Sequence, residues 1–271
     1  MIKKCILPVA GYGSRFLPIT KVKPKEMLPI GNKPLIQYSI NEAYLANIQE
    51  FGMIISKHKY SIKQYFEANR EIEEILKSTN KNELLIEINN LIDSCKFTYI
   101  EQSSMKGLGD AIYHGKSFVG NEAFAVILPD DLCHNNGLSV IEQMLEVYRR
   151  FPNKCVIAVE EVSELNISAY GIIKGTKIEG YENLFNVENL IEKPKIIDAP
   201  SNLAVIGRYI LLPEIFLKIQ NLSKGKGGEI QITDALAELA MEDKVIALKF
   251  EGKRYDCGNV KGYLEAISSL L

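Results

Sequence analysis

LPVAGYGSRFLPITKVKPKEMLP, Leu7 to Pro29, is the stretch on which the reading of the chain turns. The apolar run Cys5 to Val9 reads as a buried strand, and it ends on Ala10-Gly11-Tyr12-Gly13. Two glycines at this spacing let the chain turn sharply and bring its N–H groups close to a ligand. Arg15 follows, then Lys21, Lys23, Lys25 and Lys33, so five cationic residues face one acid, Glu26, between Ser14 and Lys33. Pro18, Pro24 and Pro29 deny the segment a helix and stiffen it as a loop. A strand, a glycine turn and a basic, proline-stiffened loop make a receptacle for a polyphosphate. Ala10, Gly11 and Gly13 would line it. Arg15 and Lys25, tied to the glycine turn and the prolines, would supply its charge, while Lys21 and Lys23 read as a solvated face. A dinucleotide fingerprint would need glycine where Phe16 stands, and the absence of Gly-x-x-x-x-Gly-Lys-Ser/Thr excludes a P-loop.

Outward from this stretch, apolar runs of strand length recur at 51–55, 97–100, 123–128, 155–159, 203–212 and 245–250. Helical patterns lie between the early ones, at 34–46, 61–76, 109–119 and 139–151. This alternation predicts an α/β fold, Rossmann-like, with a mixed, mostly parallel sheet and helices on both faces. Ligands of such sheets bind at the carboxyl ends of the strands, where the Gly11 loop and the segments after Ile100 and Leu128 should lie. The expected organisation is one domain over 1–271 in two halves, at about 1–135 and about 136–271. Two helical patterns meet without a strand at about 60–95. They read as an insertion packed on the domain or on another subunit, and the expected assembly is a homo-oligomer, dimer or tetramer. Residues 170–208 look less regular, with turn signals at Gly171, Gly175, Gly180 and Pro200, and predict a smaller subdomain.

The 271 residues are 46% hydrophobic and 24% charged, enough to bury a sizeable core. A formal net charge of −2 speaks against nucleic acid or an anionic membrane as partner and makes the basic loop a local device. The five cysteines are dispersed and form no C-x-x-C, so they read as reduced thiols of a cytoplasmic protein. No run is long enough to span a membrane, and the first apolar run, cut by Gly11 and Arg15, is a strand and no signal peptide. With three histidines, none in a nucleophile motif, chemistry by positioning and charge remains, as in phosphoryl or nucleotidyl transfer.

Several segments beyond the loop can serve such chemistry. Pro129-Asp130-Asp131 closes a strand, and a carboxylate there beside phosphates suits Mg²⁺, although an Asp pair alone is more often a turn or a helix cap. Asp256-Cys257-Gly258-Asn259, Glu192-Lys193-Pro194 and the pair Gln102 and Gly107 would alone read as a turn, a charged strand end and a loop.

Gly11-x-Gly13-x-Arg15 with Pro18-x-Thr20 and Pro24-Lys25 resembles the signature of sugar-nucleotide pyrophosphorylases, and KPKEMLPIGNKPLIQY is similar to their UTP–glucose-1-phosphate uridylyltransferase branch. VILPDD, EQSSMKGLGDA, Ala169-Tyr170-Gly171, Glu192-Lys193-Pro194, SNLAVIGRY, GGEIQITDAL and Asp256-Cys257-Gly258-Asn259 extend the resemblance over most of the chain. Ser14 replaces the usual Thr, and Asp110 stands where this branch has histidine. The resemblance implies a nucleotide-diphospho-sugar transferase fold and UDP-glucose synthesis from UTP and glucose 1-phosphate, with thymidylyl transfer or a non-catalytic sugar-nucleotide sensor as alternatives. It implies Asp130 and Asp256 as ligands of Mg²⁺, with Mn²⁺ as a substitute, and Gln102, Gly107 and Glu26 near the base. Gly171 and Glu192 would take the sugar, Lys193 its phosphate, and Arg15 and Lys25 the nucleotide phosphates.

Overall fold

The computed structural model describes residues 2–270. The chain begins with β1 (Lys4–Pro8), β2 (Pro29–Ile30), β3 (Lys33–Pro34), α1 (Leu35–Leu45), β4 (Glu50–Ile55), α2 (Tyr60–Tyr65), α3 (Arg70–Ser78), α4 (Ile86–Ser94) and β5 (Lys96–Glu101). Then come α5 (Leu108–His114), α6 (Lys116–Val119), β6 (Phe124–Ile127), β7 (Asp131–His134), α7 (Val140–Arg150), β8 (Cys155–Glu161), β9 (Gly171–Lys177), β10 (Leu184–Glu192) and β11 (Leu203–Leu211). The chain closes with α8 (Ile215–Asn221), α9 (Ile232–Met241), β12 (Val245–Lys249), β13 (Lys253–Asp256) and α10 (Val260–Leu270).

Nine strands form one sheet in the order β5-β4-β1-β6-β11-β8-β12-β10-β9. Pairing is parallel from β5 to β6 and between β8 and β12, and antiparallel elsewhere, so the sheet is mixed. Alternate residues sort to opposite faces as the period of two requires. Cys5, Leu7, Ala125 and Ile127 join Ile36, Ile40, Ile141 and Met144 on one face, under α1 and α7. Ile6, Phe124 and Val126 join Ile112, Phe216 and Leu236 on the other, under α5, α8 and α9. A strand covered on both faces reads as a continuous apolar run, which is why these were legible in the sequence. Residues 170–208, expected to form a smaller subdomain rather than an independent one, include β9 and β10. β9 and β10 join the main sheet through β12 and through an Ala204–Ile172 pairing with β11.

The helical pattern at 61–76 is two helices. The first ends at Tyr65, with Phe66 closing it, and Asn69 caps the second, its side chain accepting from the Ile72 N–H at 3.2 Å. Likewise the pattern at 109–119 divides at Gly115 into α5 and α6. Between Gly13 and Leu28 the chain makes three short 3₁₀ turns and no α-helix, as its prolines dictate. This loop is anchored by a separate apolar cluster of Phe16, Leu28, Ile30, Tyr255, Cys257 and Ala266. The same cluster therefore fixes both the basic loop and the β13–α10 corner.

Candidate active site

The deepest part of the site is made by two short strands. β7 and β13 pair antiparallel with Asp131 opposite Asp256, which brings the end of β6 against the start of α10. Asp130 precedes β7 in a turn closed by the Asp131 N–H on the Leu128 carbonyl at 3.1 Å. The Asp256 Oδ1 accepts from the Gly258 N–H at 3.0 Å and its Oδ2 from the Tyr170 hydroxyl at 3.2 Å. A Cβ on Gly258 would lie 2.9 Å from Asp130 Oδ2 and 2.9 Å from Asp256 Oδ1, so the two carboxylates flank one small space and lie within twice that distance of each other.

Lys25 reaches this centre from the basic loop, its Nζ 2.5 Å from Asp130 Oδ2. Burial alone would raise the Asp130 pKa. The Lys25 ammonium outweighs it and holds Asp130 below the usual carboxylate range. Asp131, its neighbour, goes the other way: burial pushes it up, and the charges of Asp130 and Asp256 add to that against Arg254. Arg254 spans Asp131 at 2.6 Å, Glu160 and the Tyr170 hydroxyl, and the Gly207 N–H donates to Asp131 Oδ2 at 2.7 Å. Asp131 is thereby tied into the scaffold, and Asp130 faces the cleft.

Arg15, Asp130, Gly171, Glu192, Lys193 and Asp256 all line one cavity of about 300 Å³. Glu192 accepts from the Thr233 hydroxyl at 2.8 Å and pairs with the Lys193 ammonium at 3.2 Å. Lys193 has φ +45°, and its N–H donates to the Tyr170 carbonyl at 3.0 Å, which holds the end of β10 against the residue before β9. Thr233, at the start of α9, escaped sequence reasoning as a partner of Glu192. Its only signal is its place in the GGEIQITDAL segment.

A second cavity, about 240 Å³, is lined by Ala10, Gly11, Gln102, Met105, Gly107 and Glu229, among others, and it shares Leu108 with the first. Gly107 must be glycine: its φ is +107°, and a Cβ would meet the Ile230 carbonyl oxygen at 2.6 Å. Gly13, at φ +67°, starts the first 3₁₀ turn of the basic loop. Ala10, Gly11, Gln102 and Gly107 are thus together, but Glu26 is not with them. Its side chain is buried on Lys59, with Oε2 2.6 Å from Nζ. Burial pushes Glu26 up and Lys59 down, against their mutual attraction. The reason is that Lys25 and Glu26 share one 3₁₀ turn and extend from it to different partners, Asp130 and Lys59. Lys59 was not foreseen, because its partner lies far away in sequence. Lys21 and Lys23 are exposed, as a solvated face should be.

The profile of the family described as nucleotidyl transferase matches residues 4–271. A UTP–glucose-1-phosphate uridylyltransferase of Pseudomonas aeruginosa is 50% identical over 268 residues, 98% of this chain and 95% of that protein. A crystal structure of a UDP-glucose pyrophosphorylase complexed with UDP-glucose superposes with TM-score 0.92 and 47% identity, covering 100% of this chain and 98% of that one. A UTP-bound UDP-glucose pyrophosphorylase from Acinetobacter baumannii follows at TM-score 0.90 and 37% identity, covering 100% of this chain and 93% of that one.

Proposed function

Because the chain belongs to the nucleotidyl transferase family, we propose that it transfers the uridylyl group of UTP to glucose 1-phosphate, giving UDP-glucose and pyrophosphate. One observation carries this reading. Two cavities, one edged by the glycine turn and Gln102, the other by Glu192 and Lys193, share Leu108 near a centre where Lys25 meets Asp130 and Asp130 flanks one small space with Asp256. Two substrates, a nucleotide and a sugar phosphate, are what such a pair of cavities accommodates.

In the proposed reaction a phosphate oxygen of glucose 1-phosphate attacks the α-phosphorus of UTP. The bond from that phosphorus to the β-phosphate oxygen breaks, and its electrons leave on pyrophosphate. A phosphate nucleophile is already ionised at neutral pH, so no side chain has to remove a proton. Positioning and charge suffice. Arg15 holds the β- and γ-phosphates and the departing pyrophosphate, Lys25 balances charge on the nucleotide side, and Lys193 orients the attacking phosphate. Glu192, fixed by Thr233, accepts from glucose hydroxyls. Gln102 and Gly107 receive the base.

Among the described residues no group of three or more His, Cys, Asp or Glu side chains is assembled to hold a metal ion. A magnesium site shared with substrate phosphates needs only one or two carboxylates. Asp130 and Asp256 fit it, since the space between them is kept open by Gly258 and both keep acceptor capacity. These two residues would hold Mg²⁺ or Mn²⁺, which when bound supplies neutralisation of charge at the α-phosphate. The chain offers no helix, among the described residues, long and apolar enough to cross a membrane.

Pyrophosphate release with each nucleoside triphosphate, glucose 1-phosphate and Mg²⁺ tests the reading. UTP is expected to support the fastest turnover. Equal or faster turnover with dTTP would instead make the chain a thymidylyltransferase, and no turnover with any triphosphate would make it a sensor.

A further inference from the structure

Gln102 is 2% exposed, lies immediately after β5 and lines the cavity proposed to take the base. Its Nε2 donates to Asp110 Oδ2 at 2.7 Å, across from the first turn of α5. A carboxylate can only accept, so this bond names the two ends of an amide that would otherwise be free to turn over. Turned over, the amide would set its own oxygen against Asp110 Oδ2, two acceptors at hydrogen-bond distance with no hydrogen between them. Among the described residues His114, one turn on in the same helix, also lies close to Asp110. Its Nδ1 sits 2.8 Å from the Asp110 carbonyl oxygen and 3.7 Å from Oδ2, so Gln102 is the hydrogen-bond donor to this carboxylate.

We infer that Asp110 is a positioning residue for nucleobase specificity: by fixing the Gln102 amide it selects a pyrimidine that carries hydrogen on N3. With one N–H committed to Asp110, Gln102 has Oε1 and a second N–H for a ligand. Uracil offers an N3–H donor beside a carbonyl acceptor, the complement of that edge. Cytosine offers a bare N3 beside an amino group, the reverse pattern, and would need the amide turned over. The choice between the two bases is thus made by a residue that need not touch either, through the penalty on turning the amide. A different role is open to Asp110, because an acid in the first turn of a helix favours the helix dipole. That role would affect stability and leave base choice alone.

The inference rests on the assignment of Gln102 to the base, so the experiment separates the two. The ratio of kcat/KM with UTP to that with CTP is measured on a single preparation of each protein, which makes it independent of the folded fraction. Equilibrium binding of UTP and CTP gives the same ratio without turnover. Asp110→Asn, which can donate as well as accept and so permits either amide orientation, is expected to lower the ratio at least tenfold. Asp110→Ala is expected to lower it similarly, and KM for glucose 1-phosphate should stay within about twofold in both, since one hydrogen bond in the other cavity is untouched. Gln102→Ala is expected to collapse the ratio. If Gln102→Ala does so while both Asp110 variants keep the wild-type ratio, the orienting role is wrong and the base assignment stands. If Gln102→Ala itself leaves the ratio unchanged, the base assignment fails and the inference falls with it.

Discussion

Two buried ionic clusters lie close together at the carboxyl end of the sheet, and they differ in how completely they are closed. In the first, Arg208 on β11 is 1% exposed and its partner Glu42 on α1 is 9% exposed. The guanidinium gives hydrogen bonds to both Glu42 oxygens and to the carbonyls of Leu128, Gly207 and Asp131. All of its nitrogens are engaged, and Glu42 also accepts from the Ile141 N–H. In the second, Lys25 and Asp130 remain 20% and 26% exposed. Among the described residues the oxygens of Asp130 and Asp256 accept from the Lys25 ammonium, the Tyr170 hydroxyl and the Gly258 N–H, fewer donors than four oxygens can accept. A closed network has nothing left for a ligand and acts as a strut between α1, β6 and β11. An open one, lining a cavity, holds charge in readiness. Asp130 and Asp131, adjacent in the chain, both line that cavity, but the Asp131 side chain is held by Arg254 and the Gly207 N–H.

Substitutions should break the two clusters in different currencies. The largest effect is expected at the open one. Asp130→Asn and Asp256→Asn should each lower turnover by about 10³-fold, the upper end of what one preorganised electrostatic group is worth. The denaturation midpoint should scarcely move. A loss of activity that tracks loss of fold in circular dichroism would place these carboxylates in the scaffold. At the closed cluster Glu42→Ala strands the Arg208 charge and should cost about 3–5 kcal/mol of stability by denaturant titration. Turnover per folded molecule should hold within a few-fold, and a stable but inactive Glu42 variant would erase the contrast.

Two smaller effects sharpen it. Arg15 is exposed on the glycine turn, so Arg15→Ala should leave stability alone and reduce kcat roughly 10²–10³-fold. A variant within about threefold of wild type would remove Arg15 from the leaving-group site, a margin near 0.65 kcal/mol. Glu192→Gln should raise KM for glucose 1-phosphate about tenfold while KM for UTP stays put, as expected when a charged acceptor becomes a neutral one. If UTP affinity alone suffers, the two cavities have been assigned the wrong way round.

Much of this architecture is readable in the residues, and the limits have physical causes. β1, β6 and β8 are buried on both faces, so their sequences are unbroken apolar runs. β9 and β10 are half exposed, GIIKGTK and LFNVENLIE, and their glycines and charges imitate turns. Their pairing with each other, with β12 and with β11 makes them strands. In the site, the glycine turn, Arg15 and Lys25 could be argued from charge and proline spacing alone. Asp130 and Asp256 could not, because a four-residue pairing of β7 with β13 brings them together and neither strand announces itself. The Glu26–Lys59 pair is hidden for the same reason: Lys59 comes from the far side of α1 and β4.

The proposed site requires that Asp130 and Asp256 work through one divalent cation. The direct measurement is pyrophosphate release as a function of Mg²⁺ or Mn²⁺ for the wild type, Asp130→Asn, Asp256→Asn and the double variant. Turnover should vanish with chelator, and the double variant should be scarcely worse than either single one, because groups acting as a unit are lost together. Losses that multiply, or turnover by the metal-free enzyme, would contradict it.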